Sequence, residues 1–276
     1  MHHLEAVKRY RKVYKNWFSV LLAMRLGRER IHVVLKDGRE LDVDGATAYG
    51  ISHLGDFDII DLTPDEVTFI FNNRKLSFRG YKLADIDYAF RDYSWLDVEG
   101  KAVLDVGASI GDTAIYFSIR GAKRVVAFEP YPYPYSLAKE NVEANGVLNV
   151  TLVNAGVGGN DGFITVYTGT TTAWTPLRPS GRGIEVPIYS LDRVISEYGP
   201  FDVMKMDCEG CEYDAVLNSE RLAEMKQVQI EYHYGPEKLT RKLKELGFLV
   251  RYSKPRKVYN SEASTYTLVG YIYAQR

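Results

Sequence analysis

From Lys101 onward, short apolar runs of strand length alternate with stretches of helical periodicity, and that alternation admits few architectures. Strands are expected over 102–106 (AVLDV), 124–128 (RVVAF), 150–155, 201–206 (FDVMKM), 227–232 (QVQIEY) and 248–252, with a last one near 265–274. Helices are expected over 111–120, 134–145, 190–198, 211–218 and 236–246. Strands separated by helices pair in parallel and need cover on both faces, so an α/β fold is predicted, with a mostly parallel seven-stranded sheet between helical layers. In such a sheet ligands bind outside the carboxyl ends of the strands.

The chain changes character near residue 98, which suggests a small region over 1–98 and a main domain over 99–276. The first part reads as a basic amphipathic helix over about 4–26, followed by hairpins around Asp37-Gly38 and Asn72-Asn73, dipeptides that tolerate positive φ. Lys8, Arg9, Arg11, Lys12, Lys15, Arg25, Arg28 and Arg30 there face only Glu5 and Glu29, although acids and bases nearly cancel over the whole chain. No apolar run is long enough to span a membrane and no signal-peptide pattern is found, so a cytoplasmic protein is expected. Residues 168–183 form a polar Gly/Pro-rich stretch with the length of a lid.

The first strand runs into VLDVGASIGDT, a strand, a glycine turn and a helix start. Gly107 and Gly111 allow tight bending and close approach of a ligand. Glu129 ends the second strand, where a carboxylate can accept from both hydroxyls of an adenosine ribose. A dinucleotide and S-adenosylmethionine both fit this outline. Asp112 separates them, because it stands where a dinucleotide fingerprint has Gly or Ala and would repel a pyrophosphate at the helix N-terminus. Asp105 adds a second acid nearby, and both suit a ligand with cationic groups.

The continuous stretch VLDVGASIGDTAIYFSIRGAKRVVAFEPYPYPYSLAKENVEANG resembles the FkbM family of class I S-adenosylmethionine-dependent methyltransferases. The likeness continues in order through NAGVGGNDGFITVY, VPIYSLDRVI and FDVMKMDCEGCEYDAVL, covering about residues 85–235. It implies a Rossmann-like fold and S-adenosylmethionine as cofactor. By position it implies that Asp105, Gly107, Ser109, Gly111 and Asp112 line the methionine moiety, that Glu129 holds the ribose, and that Asn154 and Ala155 lie beside the adenine. The prolines of EPYPYPYS predict an extended segment before a helix starting near Tyr135, with Tyr131 or Tyr133 stacking near the adenine.

Within KMDCEGCEYD the family's pattern is Asp207, Glu209, Gly210 and Glu212, while Cys208 and Cys211 take its variable places. No second Cys pair exists to complete a zinc site, so the cysteines read as small packing residues that are close enough to oxidise. A hydroxyl acceptor must lose a proton as it is methylated, so a positioned base helps. Asp207 is the first candidate, with Glu209, Glu231 and His233 behind it; Glu231 and His233, two apart on a strand, point the same way. These side chains are also eligible ligands for magnesium or manganese, but the ligand spacing usual for metal-dependent methyltransferases is not evident, so a divalent metal is disfavoured.

The leading expectation is O-methylation of a small-molecule or sugar hydroxyl. An RNA methyltransferase using the basic N-terminal helix with Arg178 and Arg182 is the alternative, weakened by the neutral overall charge. A non-catalytic, cofactor-binding role with the basic helix docked on a membrane or partner is the third.

Overall fold

The computed structural model describes residues 2–84, 86–166, 182–260 and 265–276. The expected lid, Arg178 included, lies outside the described residues except for its end at Arg182–Gly183. The chain divides into two compact units, Met1–Arg91 and Asp92–Arg276.

The first unit contains α1 (His2–Val13), α2 (Trp17–Arg25), the β1 (Ile31–Val34) and β2 (Glu40–Val43) hairpin, α3 (Gly45–Ser52), an antiparallel sheet of β3 (Asp58–Leu62), β4 (Glu66–Phe71) and β5 (Arg74–Arg79), and most of α4 (Ile86–Asp92). The single N-terminal helix expected from the sequence is broken. Tyr14 is fully buried, donates its hydroxyl to Ala48 O (2.6 Å), and its backbone bridges to Leu35. Asn16 then brackets β1, accepting from Val34 N and donating to His32 O. Strand-edge pairing thus takes the backbone groups that a continuous helix would use. The hairpin at Asn72-Asn73 forms as expected: both residues have positive φ, 48° and 60°, and link Phe71 to Arg74 across a two-residue turn.

The second unit carries β6 (Ala102–Val106), α5 (Asp112–Ile119), β7 (Arg124–Phe128), α6 (Pro132–Ala144), β8 (Val150–Val153), β9 (Gly156–Gly158), β10 (Gly162–Val166), β11 (Ile184–Ser190), α7 (Leu191–Tyr198), β12 (Val203–Met206), α8 (Cys211–Asn218), β13 (Gln227–Tyr232), α9 (Glu237–Glu245), β14 (Leu249–Tyr252), β15 (Arg256–Asn260) and β16 (Thr265–Gln275). The main sheet has the order β14-β16-β13-β12-β6-β7-β8, with β15 attached to β16. Strands β13, β12, β6, β7 and β8 are parallel, and β16 runs antiparallel to β13 and β14. This is the mostly parallel, helix-covered sheet the alternation predicts, in the Rossmann-like form the resemblance implies, with eight strands where seven were expected because β15 pairs with β16. Every residue of β6 and β12 is buried, as central parallel strands require. A small sheet, β10-β11-β9, was not legible from periodicity.

Helix α6 begins at Pro132, three residues before the expected start. Pro132 and Pro134 sit in its first turn, where backbone N–H groups have no intrahelical partner, so neither ring costs a hydrogen bond. No helix among the described residues is long and apolar enough to cross a membrane.

Candidate active site

The parallel strands β6, β7 and β12 end at one cleft, with about 560 Å³ of open space, lined by Gly107, Ser109, Glu129, Ala155, Asp207 and Glu209 among others. The loop after β6 is pinned at its base, because Gly107 N and Ala108 N both donate to Phe128 O at 3.0 Å. Gly107 has φ +81°, and a Cβ there would stand 1.8 Å from Asp207 O. Its glycine is therefore demanded by the neighbouring strand end as well as by any ligand. Ser109 and Glu209 hold positive φ, 46° and 56°, without being glycine, a cost that clusters at functional sites.

Glu129 is held by backbone alone. Its Oε2 accepts from Ser109 N (2.9 Å) and its Oε1 from Tyr131 N (2.8 Å), and the side chain is 6% exposed. Burial pushes its carboxyl up to about 7, against the pull of those two N–H donors. The carboxylate keeps acceptor capacity toward the cleft it lines, the donor–acceptor match that ribose hydroxyls need.

The other residues expected around the cofactor divide sharply. Gly107, Ser109, Glu129 and Ala155 line the cleft; Asp105, Gly111, Asp112 and Asn154 do not. Asp105 is fully buried beneath it, accepting from Thr113 Oγ1 (2.6 Å) and ion-paired with Lys205 Nζ (3.2 Å). Gly111, φ +84°, lets α5 approach α6: a Cβ would meet Ala138 at 3.2 Å. Asp112 is buried in the first turn of α5, and desolvation raises its carboxyl to about 7 although Lys205 opposes the shift. Asn154 donates to Glu129 O (2.8 Å) and Pro130 O (3.1 Å), so it fixes the segment between β7 and α6. Tyr131 is buried, lines the cleft and packs with Val166 and Val186, whereas Tyr133 is half exposed and stands outside it.

A second group of side chains gathers where β12 and β13 end. Asp207 Oδ2 accepts from the Tyr93 hydroxyl (2.8 Å). Glu231 hydrogen-bonds Asp207, and burial together with the Asp207 charge raises its carboxyl well above the usual range. Arg256 reaches Glu231 only at 4.0 Å. His233 lies between two carboxylates, Nε2 3.1 Å from Glu209 Oε2 and Nδ1 2.8 Å from Glu212 Oε1. Burial lowers its proton affinity, but both carboxylates outweigh that and hold it well above the ordinary histidine value. Glu212 is fully buried and also accepts from Gly210 N (2.8 Å) and His233 N (3.2 Å). The four acid–base candidates are thus brought to one place. Cys208 and Cys211, on the cleft wall, are joined by a disulfide.

Two functional neighbours escaped the sequence reading. Lys205 is 1% exposed and donates to Gly107 O (2.6 Å) as well as pairing with Asp105. Burial disfavours its charge, but Asp105, Asp207 and Asp112 together hold it above the ordinary lysine value. The signal was available: a lysine inside an otherwise apolar central strand must have a buried carboxylate partner. Tyr93 gave no signal, since its segment carries no motif and only the fold brings it to Asp207.

Residues 105–250, more than half of the chain, match the family model for the methyltransferase FkbM domain. Uncharacterized protein 158B of Sulfolobus islandicus rod-shaped virus 1 is 26% identical over 141 residues, 51% of this chain and 66% of that protein. The chain therefore spans just under two thirds of that relative, and 26% of a Methanocaldococcus jannaschii protein that is 40% identical over 52 residues. Among solved structures, precorrin-6y C5,15-methyltransferase from Geobacter metallireducens is similar at TM-score 0.42 and 15% identity, covering 70% of this chain and 88% of that one. P. horikoshii TYW2 in complex with MeSAdo is similar at TM-score 0.43 and 14% identity, covering 95% and 83%.

Proposed function

The chain belongs to the FkbM family of S-adenosylmethionine-dependent methyltransferases, and on that premise we propose that it methylates a hydroxyl group of a small molecule or a sugar. The observation that carries this reading is the carboxylate group at the cleft's end, where Asp207 and Glu209 line the cleft and Glu231 hydrogen-bonds Asp207. Carboxylates so placed accept hydrogen bonds from hydroxyls and can take a proton from one.

The residues present fit the cofactor. Glu129 offers a buried carboxylate to the ribose; Gly107 and Ser109 supply backbone close to the methionine end; Ala155 and Tyr131 supply apolar surface for the adenine. Asp105 and Asp112 act from beneath, through their charge and through Lys205, which holds the loop by Gly107 O. When bound, S-adenosylmethionine supplies a methyl group on a positively charged sulfur. The chain's own task is then to hold the acceptor oxygen and remove its proton. Asp207, fixed by Tyr93, is placed to receive the proton, and Glu231 beside it, whose hold on its own proton is strengthened by burial and by the Asp207 charge, orients the acceptor.

Nucleic acid is the weaker reading, because the described residues lining the cleft include Glu129, Asp207 and Glu209 but neither Lys nor Arg. Phosphates would be repelled there.

Incubation with methyl-tritiated S-adenosylmethionine and a panel of saccharides, phenols, RNA and protein tests the proposal. Label should appear in a hydroxylated acceptor as a base-stable ether. Asp207→Asn should cut turnover about 10²–10⁴-fold, with a smaller effect on cofactor affinity. Label confined to RNA or protein would overturn it.

A further inference from the structure

We propose that Asp207, Glu209 and His233 form a binding site for one divalent cation, of the kind manganese fills. One ligand atom from each lies within 4.8 Å of the other two. They come from different elements, Asp207 and Glu209 from the loop after β12 and His233 from the end of β13, so the fold and not a local run of acids assembles them.

The histidine is prepared for such a role. Glu212 is buried and already accepts from Gly210 N and His233 N, so it acts as a carboxylate acceptor and Nδ1 is the donor to it. The Nε2 lone pair of the neutral ring is then directed toward Glu209 and Asp207. Metal-binding histidines are oriented in just this way, with the other ring nitrogen donating to a carboxylate. In this structure Nε2 faces Glu209 Oε2 at 3.1 Å. A metal ion would sit between them.

The charge around the group points the same way. Among the described residues, the carboxyl groups of Asp207, Glu209 and Glu212 lie around one imidazole. Tyr93 contributes a neutral hydroxyl to Asp207, and Arg256 is at the edge of reach. A divalent ion would neutralise this excess. One imidazole with two carboxylates is a mixed nitrogen and oxygen set that favours Mn²⁺ over Mg²⁺, which prefers oxygen and keeps its waters. With three protein ligands, positions stay open for an acceptor oxygen. On the hydroxyl-methylating reading, an ion held there would lower that hydroxyl's pKa. The binding itself does not depend on that reading.

The test uses the full chain without cofactor and Mn²⁺ alone, followed by electron paramagnetic resonance. Wild type should bind one ion per chain and show coupling to an imidazole nitrogen. Asp207→Asn, Glu209→Gln and His233→Ala should each bind at least about tenfold more weakly, and Glu212→Gln about tenfold. Urea unfolding of the same variants reports that they are folded, and the wild-type nitrogen coupling stands independently of any variant. No binding by wild type, binding without nitrogen coupling, or equal binding by folded variants would each overturn the site. None of these would touch the methyltransferase assignment, which fails only if cofactor binding and methyl transfer fail.

Discussion

The two ends of the cleft solve the same problem, a buried carboxylate, by opposite means. At one end Glu129 is fixed by two backbone N–H groups and, among the described residues, has no cation within its hydrogen-bonding set. At the other, Asp207, Glu209, Glu231 and His233 are fixed by one another's side chains and by Tyr93 and Glu212. The first arrangement is local and independent: loop geometry survives single side-chain changes, so Glu129 can be altered alone. The second is collective, so loss of one member leaves another charge unpaired. Lys205 lies under both, bonded to the Gly107 carbonyl on one side and held charged by Asp105, Asp112 and Asp207.

Lys205→Met is therefore the change that should break both ends at once. It removes the cation but keeps most of the side chain's length, leaving Asp105 fully buried with the Thr113 hydroxyl but without its cationic partner. Stranding a buried charge in this way costs about 3–5 kcal/mol. Urea unfolding of the variant should show a loss of that size, with cofactor binding weakened as the Gly107 loop loosens. A loss below about 1 kcal/mol would mean that Asp105 takes up a proton without consequence and that Lys205 is not the common support.

The next effect in size separates the ends. Glu129→Ala should weaken S-adenosylmethionine binding about ten- to a hundredfold, since charge-assisted hydrogen bonds are worth about 1.5–3 kcal/mol. Glu231→Gln should leave that affinity nearly unchanged. Calorimetry on the two variants decides it. If both weaken binding equally, the cleft is a single coupled unit and the contrast between its ends is false.

The contrast also accounts for what could be read in advance. Gly107, Ser109 and Glu129 were legible because a strand, a tight turn and a following strand end constrain each other within a short stretch of sequence, and the alternation of strands and helices placed them in the sheet. Asp207, Glu209, Glu231 and His233 were legible as residue types at two strand ends, but not as a network. Nothing in QIEYHYG says that His233 would sit between Glu209 and Glu212. Tyr93 could not be found, because its bond to Asp207 spans 114 residues. Asp105, Gly111, Asp112 and Asn154 were assigned toward the ligand because the motif surrounds it, yet motif residues also build the loop from behind, as Asn154 does at Glu129 O and Gly111 does against Ala138. The broken N-terminal helix failed for a similar reason: the periodicity of Tyr10, Tyr14, Trp17 and Leu21 is helical, but Tyr14's backbone pairs with Leu35.

The smallest of the expected effects probes Glu129 without changing it. Burial raises its carboxyl from the ordinary 4.5 to about 7. The folded chain then holds this proton more tightly than the unfolded chain does. Its contribution to stability is in full below about pH 4.5 and is lost as pH rises through 7, the reverse of a salt-bridged acid, by about 3 kcal/mol in all. Asp112, raised to about 7 mainly by its own burial, adds a loss of the same sign. Ribose hydroxyls favour the ionised form, so cofactor and proton compete for Glu129. The dissociation constant should therefore fall as pH rises, by up to tenfold per unit below 7, and level off above it. Across pH 6 to 8 the change should be about tenfold, with a proton released on binding near pH 6.5. Glu129→Gln cannot titrate and should flatten the profile, while Glu231→Gln should keep it. A wild-type affinity that is flat from pH 6 to 8 would show that Glu129 meets the ribose already ionised, with its two backbone donors outweighing its burial.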